Sequence, residues 1–211
     1  MINFKLPWSK KNLEQIHNYW KNPGENNFPE KYHDPKGGLT RSNILVKLVK
    51  EQTNLHADSS ILELGCNIGR NLWALNKNNF SNIHGIEINP DAVKKMGQYY
   101  PDLEKNATII TGSIEDWIKT NNNKFELVFT MAVLEHIHND SEWIFPEISK
   151  ITKNYLITIE DEKTVSSRHF PRNYQNIFEK LGMKQIFWHD CKEMPNWRGK
   201  FFARVFQKIQ D

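Results

Sequence analysis

The 211-residue sequence predicts an α/β fold: a seven-stranded, mostly parallel sheet with helices on both faces and an antiparallel last strand. Three observations carry that expectation. Short apolar runs stopped by Gly, Asn or Pro alternate with segments of helical spacing, as buried parallel strands and their crossover helices do. The last two apolar runs, Lys184–Trp188 and Phe201–Lys208, are joined by a loop too short for a crossover helix, so the final strand must reverse. Hydrophobic residues at 38%, charged residues at 25% and aromatics at 12% describe a globular chain with material for one substantial core.

In chain order, the first stretch to about Gly38 is aromatic and broken by Pro and Gly. One helix is expected there, from Lys10 to Trp20, with Leu13, Ile16, His17 and Trp20 at helical spacing. Asn22 to Gly38 reads as loop. Residues 1–40 are expected to form an N-terminal lid hinged at Gly37-Gly38, with Trp8 and Trp20 stapling it down, and residues 41–211 the core of a single domain. Thr40 or Ser42 can cap a helix running through Ile44, Leu45, Leu48 and Val49. Then come a strand over Ser60–Leu64, a helix over Asn71–Asn79 and a strand over Asn82–Ile88. A helix over Asp91–Tyr100 follows, with Pro90 suited to its first position. Next are a strand over Ala107–Thr111, a helix over Ile114–Lys119, a strand over Phe125–Met131 and a helix from about Glu142 to Ile151. A strand over Tyr155–Ile159 precedes a helix over Tyr174–Leu181, which Gly182 closes. Ligands of such sheets sit beyond the carboxyl ends of the strands, which places Gly65, Glu87, Ser113, Thr130 and Glu160 along one edge.

The net charge of +3 comes from 28 basic and 25 acidic residues spread along the chain, without the basic run of a dedicated nucleic-acid binder. A small cationic patch is conceivable where Lys192, Arg198, Lys200 and Arg204 fall together. Cys66 and Cys191 form neither a CxxC pair nor a disulfide framework. No apolar stretch reaches transmembrane length, and residues 1–11 lack the core of a signal peptide. The expectation is a reduced, cytoplasmic protein, monomeric or homodimeric, with no membrane or nucleic-acid partner.

The segment Glu63-Leu64-Gly65-Cys66-Asn67-Ile68-Gly69 follows the first strand. Glycine permits positive φ and close approach of a ligand to backbone, and Asn is the next most tolerant residue there. The following helix offers unpaired N–H groups, so the loop suits a nucleoside-containing ligand. A glycine turn alone is unspecific in α/β proteins. Glu87 sharpens it: an acidic residue about 20 positions further on, ending the second strand, can accept two hydrogen bonds from a ribose cis-diol.

With those residues in place, Glu63 to Asn71 resembles motif I of the class I S-adenosylmethionine (SAM)-dependent methyltransferases, which have a Rossmann-like sheet. Gly85-Ile86-Glu87-Ile88-Asn89-Pro90 is similar to their ribose-binding motif, and Thr111-Gly112-Ser113-Ile114-Glu115-Asp116 stands at their adenine-contacting motif. Phe125–Thr130 followed by Val133-Leu134-Glu135-His136-Ile137 resembles the fourth strand and post-strand motif of the small-molecule, type 11/12-like subgroup. The resemblance implies that Glu63, with Gly65, Cys66, Asn67 and Gly69, lies at the methionine end of bound SAM. It implies that Glu87 binds the ribose, Ile88 packs on adenine, Ser113 and Ile114 meet the adenine edge, and Thr130 lines the methionine end. Asn67 replaces the middle glycine and Ser113 a common Asp, which shifts adenine contact toward backbone, Glu115 or Asp116.

The acceptor end is sketched from residue types. His136, just past the fourth strand, is the candidate general base. Glu160 and Glu162 follow the fifth strand, and His169 (with Arg168, Arg172 and Tyr174 near it) could complete a pocket under Tyr32 and Arg41. Glu160, Asp161, Glu162 and His169 have the right types for a hard cation, yet Thr130 stands where metal-dependent catechol methyltransferases carry an Asp, so no metal is expected. The function expected is methyl transfer from SAM to O or N of a small polar acceptor. A protein or nucleic-acid methyltransferase and a non-catalytic SAM-binding subunit are the alternatives. A nicotinamide oxidoreductase is disfavoured because Arg70 stands where its fingerprint needs glycine.

Overall fold

The computed structural model describes residues 9–33, 39–192, 194, 197 and 199–209, except the side chains of residues 25, 39 and 40. Trp8, Pro35, Lys36, Gly37, Gly38 and Arg198 therefore lie outside the described residues, and with them the expected hinge. The first helix, α1 (Leu13–Lys21), is opened by a capping box: Gln15 N–H donates to Asn12 Oδ1 (2.9 Å), and Asn12 N–H to Gln15 Oε1 (3.2 Å). Two short 3₁₀ turns, Glu25–Asn27 and Pro29–Tyr32, occupy the Pro-rich stretch read as loop. α2 spans Leu39–Gln52.

The alternating core comprises β1 (Ile61–Leu64), α3 (Arg70–Asn76), β2 (Ile83–Glu87), α4 (Pro90–Tyr99), α5 (Pro101–Asn106) and β3 (Ala107–Thr111). It continues with α6 (Ile114–Thr120), β4 (Phe125–Met131), α7 (Ile144–Ile151), β5 (Thr152–Asp161), α8 (Tyr174–Lys180), β6 (Met183–His189) and β7 (Phe201–Lys208). The seven strands form one sheet in the order β3-β2-β1-β4-β5-β7-β6. The first five are parallel, and β7 runs antiparallel between β5 and β6, as the short final connection requires. Strand order reverses between β1 and β4, which makes the carboxyl end of β1 the switch point.

Several elements differ from the sequence reading, among them α1, which begins at Leu13, and α3, which ends at Asn76. α5 is additional: Pro101 cannot extend α4 but suits the first position of a new helix. α7 begins at Ile144, because 3₁₀ turns at Leu134–His136 and Asn139–Ser141 use the residues before it. β5 is longer at both ends, Thr152 to Asp161, since α7 passes into it without a turn. Among the described residues, no helix is long and apolar enough to cross a membrane.

Pleat alternation divides the core into two layers. On one face Ile61, Ile83, Leu127, Phe129, Ile157 and Val205 pack under α2 and α3. On the other Leu62, Leu64, Ile86, Val128, Leu156 and Phe206 pack under α6, α7 and α8. Of the C-terminal cations that are described, Arg204 and Lys192 are each engaged by an acidic partner. Arg204 is buried and makes a two-point pair with Glu162, Nε to Oε1 at 2.7 Å and Nη2 to Oε2 at 2.8 Å. Lys192 pairs with Asp190.

Gly85 connects this packing to the switch point. A Cβ at this position would lie 2.7 Å from Cys66 Sγ and 2.8 Å from Leu72 Cδ1, so the missing side chain is what lets the glycine loop settle on β2. Gly85→Ala is expected to cost about 1–3 kcal/mol through overpacking. Urea unfolding checks this: the midpoint should fall at constant m, and a parental midpoint would mean the loop does not press on β2 there.

Candidate active site

The loop after β1 turns on three residues with positive φ: Gly65 (75°), Asn67 (48°) and Gly69 (78°). Gly65 is also sterically required, since a Cβ there would sit 2.6 Å from a Val133 methyl. Gly65 N–H and Cys66 N–H both donate to the Ile86 carbonyl, at 2.8 and 3.0 Å, fastening the loop to the end of β2. Glu87 completes the attachment. Asn67 N–H donates to its Oε2 (2.7 Å) and Asn89 N–H to its Oε1 (2.8 Å). Burial pushes the Glu87 carboxyl up, and these two N–H donors act against that shift.

A cavity of about 370 Å³ opens over this edge. Glu63, Gly65, Cys66, Asn67, Glu87, Ile88, Ser113 and Ile114 lie on its wall, so the sheet brings most of the expected cofactor residues together, while Gly69 supports the loop from behind. Glu63 is fully enclosed. Its Oε1 accepts a hydrogen bond from Asn71 Nδ2 (2.7 Å), and Asn71 Oδ1 in turn accepts from Ser42 Oγ (2.7 Å). Its Oε2 is buried with no partner, and burial pushes its pKa up to about 8. Ser113 caps α6, donating to Asp116 Oδ2 and accepting from Asp116 N–H, which leaves its backbone to face the cavity. Cys66 is buried and burial pushes its thiol well up, so it is no nucleophile.

Thr130, Glu160 and Glu162 are not on the wall. Strand parity is the reason. Thr130 and Glu160 share the α6–α8 face with Val128 and Leu156, whereas their neighbours Met131 and Asp161 point into the cavity. Glu160 is instead a brace: Val133 N–H (2.9 Å) and Glu135 N–H (3.2 Å) donate to its Oε2. Glu162 is the partner of Arg204.

His136 and His169 meet at the other end of the cavity with ring centroids 4.6 Å apart, and Arg41 and Tyr32 are also on the wall. His136 Nδ1–H donates to the Arg168 carbonyl at 2.9 Å. Burial, then the neighbouring His169, lower its pKa to about 3. A ring so far below neutrality is neutral at pH 7 and takes up a proton reluctantly, so His136 serves better as a hydrogen-bond acceptor or ligand than as a strong base. Met131 is on the wall although the sequence did not point to it, and Asp161, named there only among possible cation ligands, is the member of the acidic run after β5 that reaches the wall. Its place ahead of Glu160 was recoverable from pleat parity had the full length of β5 been known.

Trp20 does more than staple the N-terminal segment: its ring lies 4.5 Å from that of His136 and helps wall the cavity. Among the described residues, further contacts hold the segment over the site. His17 Nε2 and Glu115 Oε1 are 3.0 Å apart, His33 stacks on Tyr99 at 4.1 Å, and Glu30 pairs with Lys95. The His17–Glu115 hydrogen bond raises the pKa of His17.

A sheet of this order, with a nucleoside-sized cavity over β1 and β2, defines a class of transferase domains, and residues 61–154 match the family model described as a methyltransferase domain. Residues 61–154 are thus a methyltransferase domain by that match, and motif I, the ribose position and the post-β4 motif, in register on it, support a SAM-dependent methyltransferase of class I. SAM is the cofactor with which such a domain is consistent. A search of the curated proteins found no match. Among solved structures, the chain is similar to magnesium protoporphyrin IX methyltransferase from Synechocystis PCC 6803 with bound S-adenosylhomocysteine (SAH). The identity is 14%, the match covers 94% of this chain and 100% of that one, and the TM-score is 0.75. It is similar to the putative methyltransferase in a complex with the Haloferax volcanii Trm112 methyltransferase activator, at 12% identity over 93% and 98% of the chains, TM-score 0.68. It is also similar to a putative sarcosine dimethylglycine methyltransferase from Galdieria sulphuraria, at 14% identity over 81% and 86%, TM-score 0.63. At such identities the likeness concerns the fold.

Asn67 stands where the family pattern has glycine, and its left-handed backbone is stabilised by its own side chain, with Ile68 N–H donating to Oδ1 at 2.8 Å. Asn67→Ala is expected to lose about 1–2 kcal/mol of stability, and Asn67→Gly less, because glycine holds the same φ without strain. Denaturant titration of both variants checks the order; an Ala variant equal to the Gly variant would mean the loop is free to leave this conformation.

Proposed function

We propose that the protein methylates O or N of a small polar acceptor held between the SAM site and the N-terminal segment. The observation that carries the acceptor size is the position of α1: Trp20 lies against His136, so the acceptor end is a walled, polar recess. The fit of the cofactor rests on the partnerless Glu63 Oε2 beside the glycine loop, an acceptor suited to a cationic amino group. Glu87 would hold the ribose hydroxyls with lone pairs not used by Asn67 and Asn89. Ile88 would pack on adenine, the Ser113–Ile114 backbone would meet its edge, and Met131 takes the place first given to Thr130.

When bound, SAM supplies a methyl on a sulfonium; the C–S electron pair stays on sulfur, the new bond forms to the acceptor atom, and that atom's proton departs. The chain's own part is alignment and exclusion of water. Trp20 and Tyr32 close the recess, while Arg41, Asp161, His136 and His169 supply polar contacts around the acceptor. The two buried thiols suit a reduced cytoplasmic setting.

The test is to supply methyl-labelled SAM with small-molecule, RNA and protein fractions of a cell extract. Label is expected among the small molecules, and label found only in RNA or protein would overturn the acceptor class. Glu87→Ala should weaken SAH about 10- to 100-fold by calorimetry, the scale of losing hydrogen bonds to a charged group; an unchanged Kd would mean the ribose lies elsewhere.

Glu63 gives a proton signature. With a pKa near 8 in the free protein it is mostly protonated at pH 7, and a cation placed on it favours the carboxylate. SAH binding at pH 7 is thus expected to release up to about one proton, and affinity to rise from pH 6 toward 8. Calorimetry in two buffers of different ionisation enthalpy measures the release, and none would remove Glu63 from the amino-group site.

A further inference from the structure

Glu135, His136 and His169 place one carboxylate oxygen and two imidazole nitrogens within 4.8 Å of one another at the acceptor end of the cavity. His136 Nε2 is 3.5 Å from Glu135 Oε1, and His169 Nε2 is 3.7 Å from the same oxygen. Donor atoms sharing one metal at about 2.0–2.2 Å stand roughly 3.0–3.5 Å apart, so the separations are nearly those of a coordination sphere.

The far side of each side chain is what distinguishes this cluster from a chance meeting of polar groups. Asp161 N–H donates to Glu135 Oε2, leaving Oε1 turned to the two rings. The Arg168 carbonyl can only accept, so His136 carries its proton on Nδ1 and presents the Nε2 lone pair. Ser166 Oγ lies 2.6 Å from His169 Nδ1 and itself accepts Arg168 N–H, so Nδ1 is engaged there and Nε2 is the nitrogen turned toward Glu135. Each of the three is thus fixed through the atom that would not ligate, the supporting pattern of metal-binding histidines and carboxylates. The Glu135, His136 and His169 side chains are 4%, 13% and 26% exposed, so the point they face is screened from bulk water but open to the cavity.

We propose that Glu135, His136 and His169 form a divalent-cation site whose open positions take an oxygen of the acceptor. Two imidazoles with one carboxylate suit a first-row transition ion (Mn²⁺, Fe²⁺, Co²⁺ or Zn²⁺) better than Mg²⁺ or Ca²⁺, which prefer all-oxygen shells. The ion would orient an acceptor hydroxyl and favour its ionised form, a task for which His136 alone is too weakly basic. The expectation of no metal weighed the end of β4, where Thr130 stands; this cluster lies one turn further on. The use of the ion rests on the methyltransferase reading above, but its binding does not.

The experiment is a Co²⁺ titration of the chelator-treated full chain, followed by visible absorption and calorimetry, with SAH affinity measured on the same samples. One ion per chain with a d–d band is expected, and His169→Ala should weaken it by at least about tenfold while SAH still binds. Ser166→Ala, remote from the ion, should weaken it about 10- to 100-fold and serves if Glu135→Gln does not fold. No Co²⁺ or Zn²⁺ binding by the parent, or equal binding by His169→Ala, overturns the site. Metal binding without SAH binding would retain it and sink the methyltransferase reading instead.

Discussion

Glu87 accepts amide protons from Asn67 on one side and Asn89 on the other, and the rest of the site depends on this pair of bonds. Together with the Gly65 and Cys66 amides on the Ile86 carbonyl, they set the height of the loop after β1 above the sheet, with Gly65 beneath Val133 and Cys66 against Gly85. Two backbone donors also supply what a buried carboxylate needs, which is why an acidic side chain can be tolerated at 7% exposure beside apolar Ile86. The same bonds leave further lone pairs on each oxygen for a ligand.

The acceptor end repeats the device with different residues. Glu160 receives the Val133 and Glu135 amides, and Glu135 receives the Asp161 amide, so carboxylates join β5 to the turn after β4 in addition to the apolar packing of Leu134 and Ile137. Burial raises the pKa of both glutamates, and their mutual repulsion adds to it for Glu135. The turn itself is strained: Ala132 holds φ at 57°, a conformation that L-residues other than Asn and Asp seldom adopt. Strain kept in place by buried hydrogen bonds is what a fixed, preorganised wall requires.

Most of the fold could be read from periodicity, because apolar runs bounded by Gly65, Asn89-Pro90 and Gly182 leave few choices for strands and helices. The glycine loop and Glu87 were legible for the same reason: their chemistry is tied to a spacing along the chain. Thr130 and Glu160 show where that reading stops. Position at a strand end is visible in the sequence, but which face the end presents depends on where the strand starts and on its register with β4, and an error of one residue reverses it. The helical period of α1 shows Trp20 on an apolar face but not what that face covers, and Arg168 belongs to a segment with no period, so only the packed chain brings them beside His136.

The two ends of the cavity bear on different steps of the reaction. On the reading proposed above, Glu63 and Glu87 face parts of the cofactor that are the same before and after methyl transfer. Their interactions are equally strong in ground and transition states, so they set how well the cofactor is held and leave the barrier unchanged. Charge at the reacting centre changes during transfer, as a sulfonium becomes a neutral thioether and the acceptor gives up a proton. Only groups near that centre can discriminate between the two states. On that reading those groups are Arg41, Asp161, Glu135, His136 and His169, which lie at the end of β5, on loops after β4 and β5, or on the segment before β1. Variation in turnover and acceptor choice should therefore follow these loops, while the glycine loop and Glu87 govern occupancy by the cofactor.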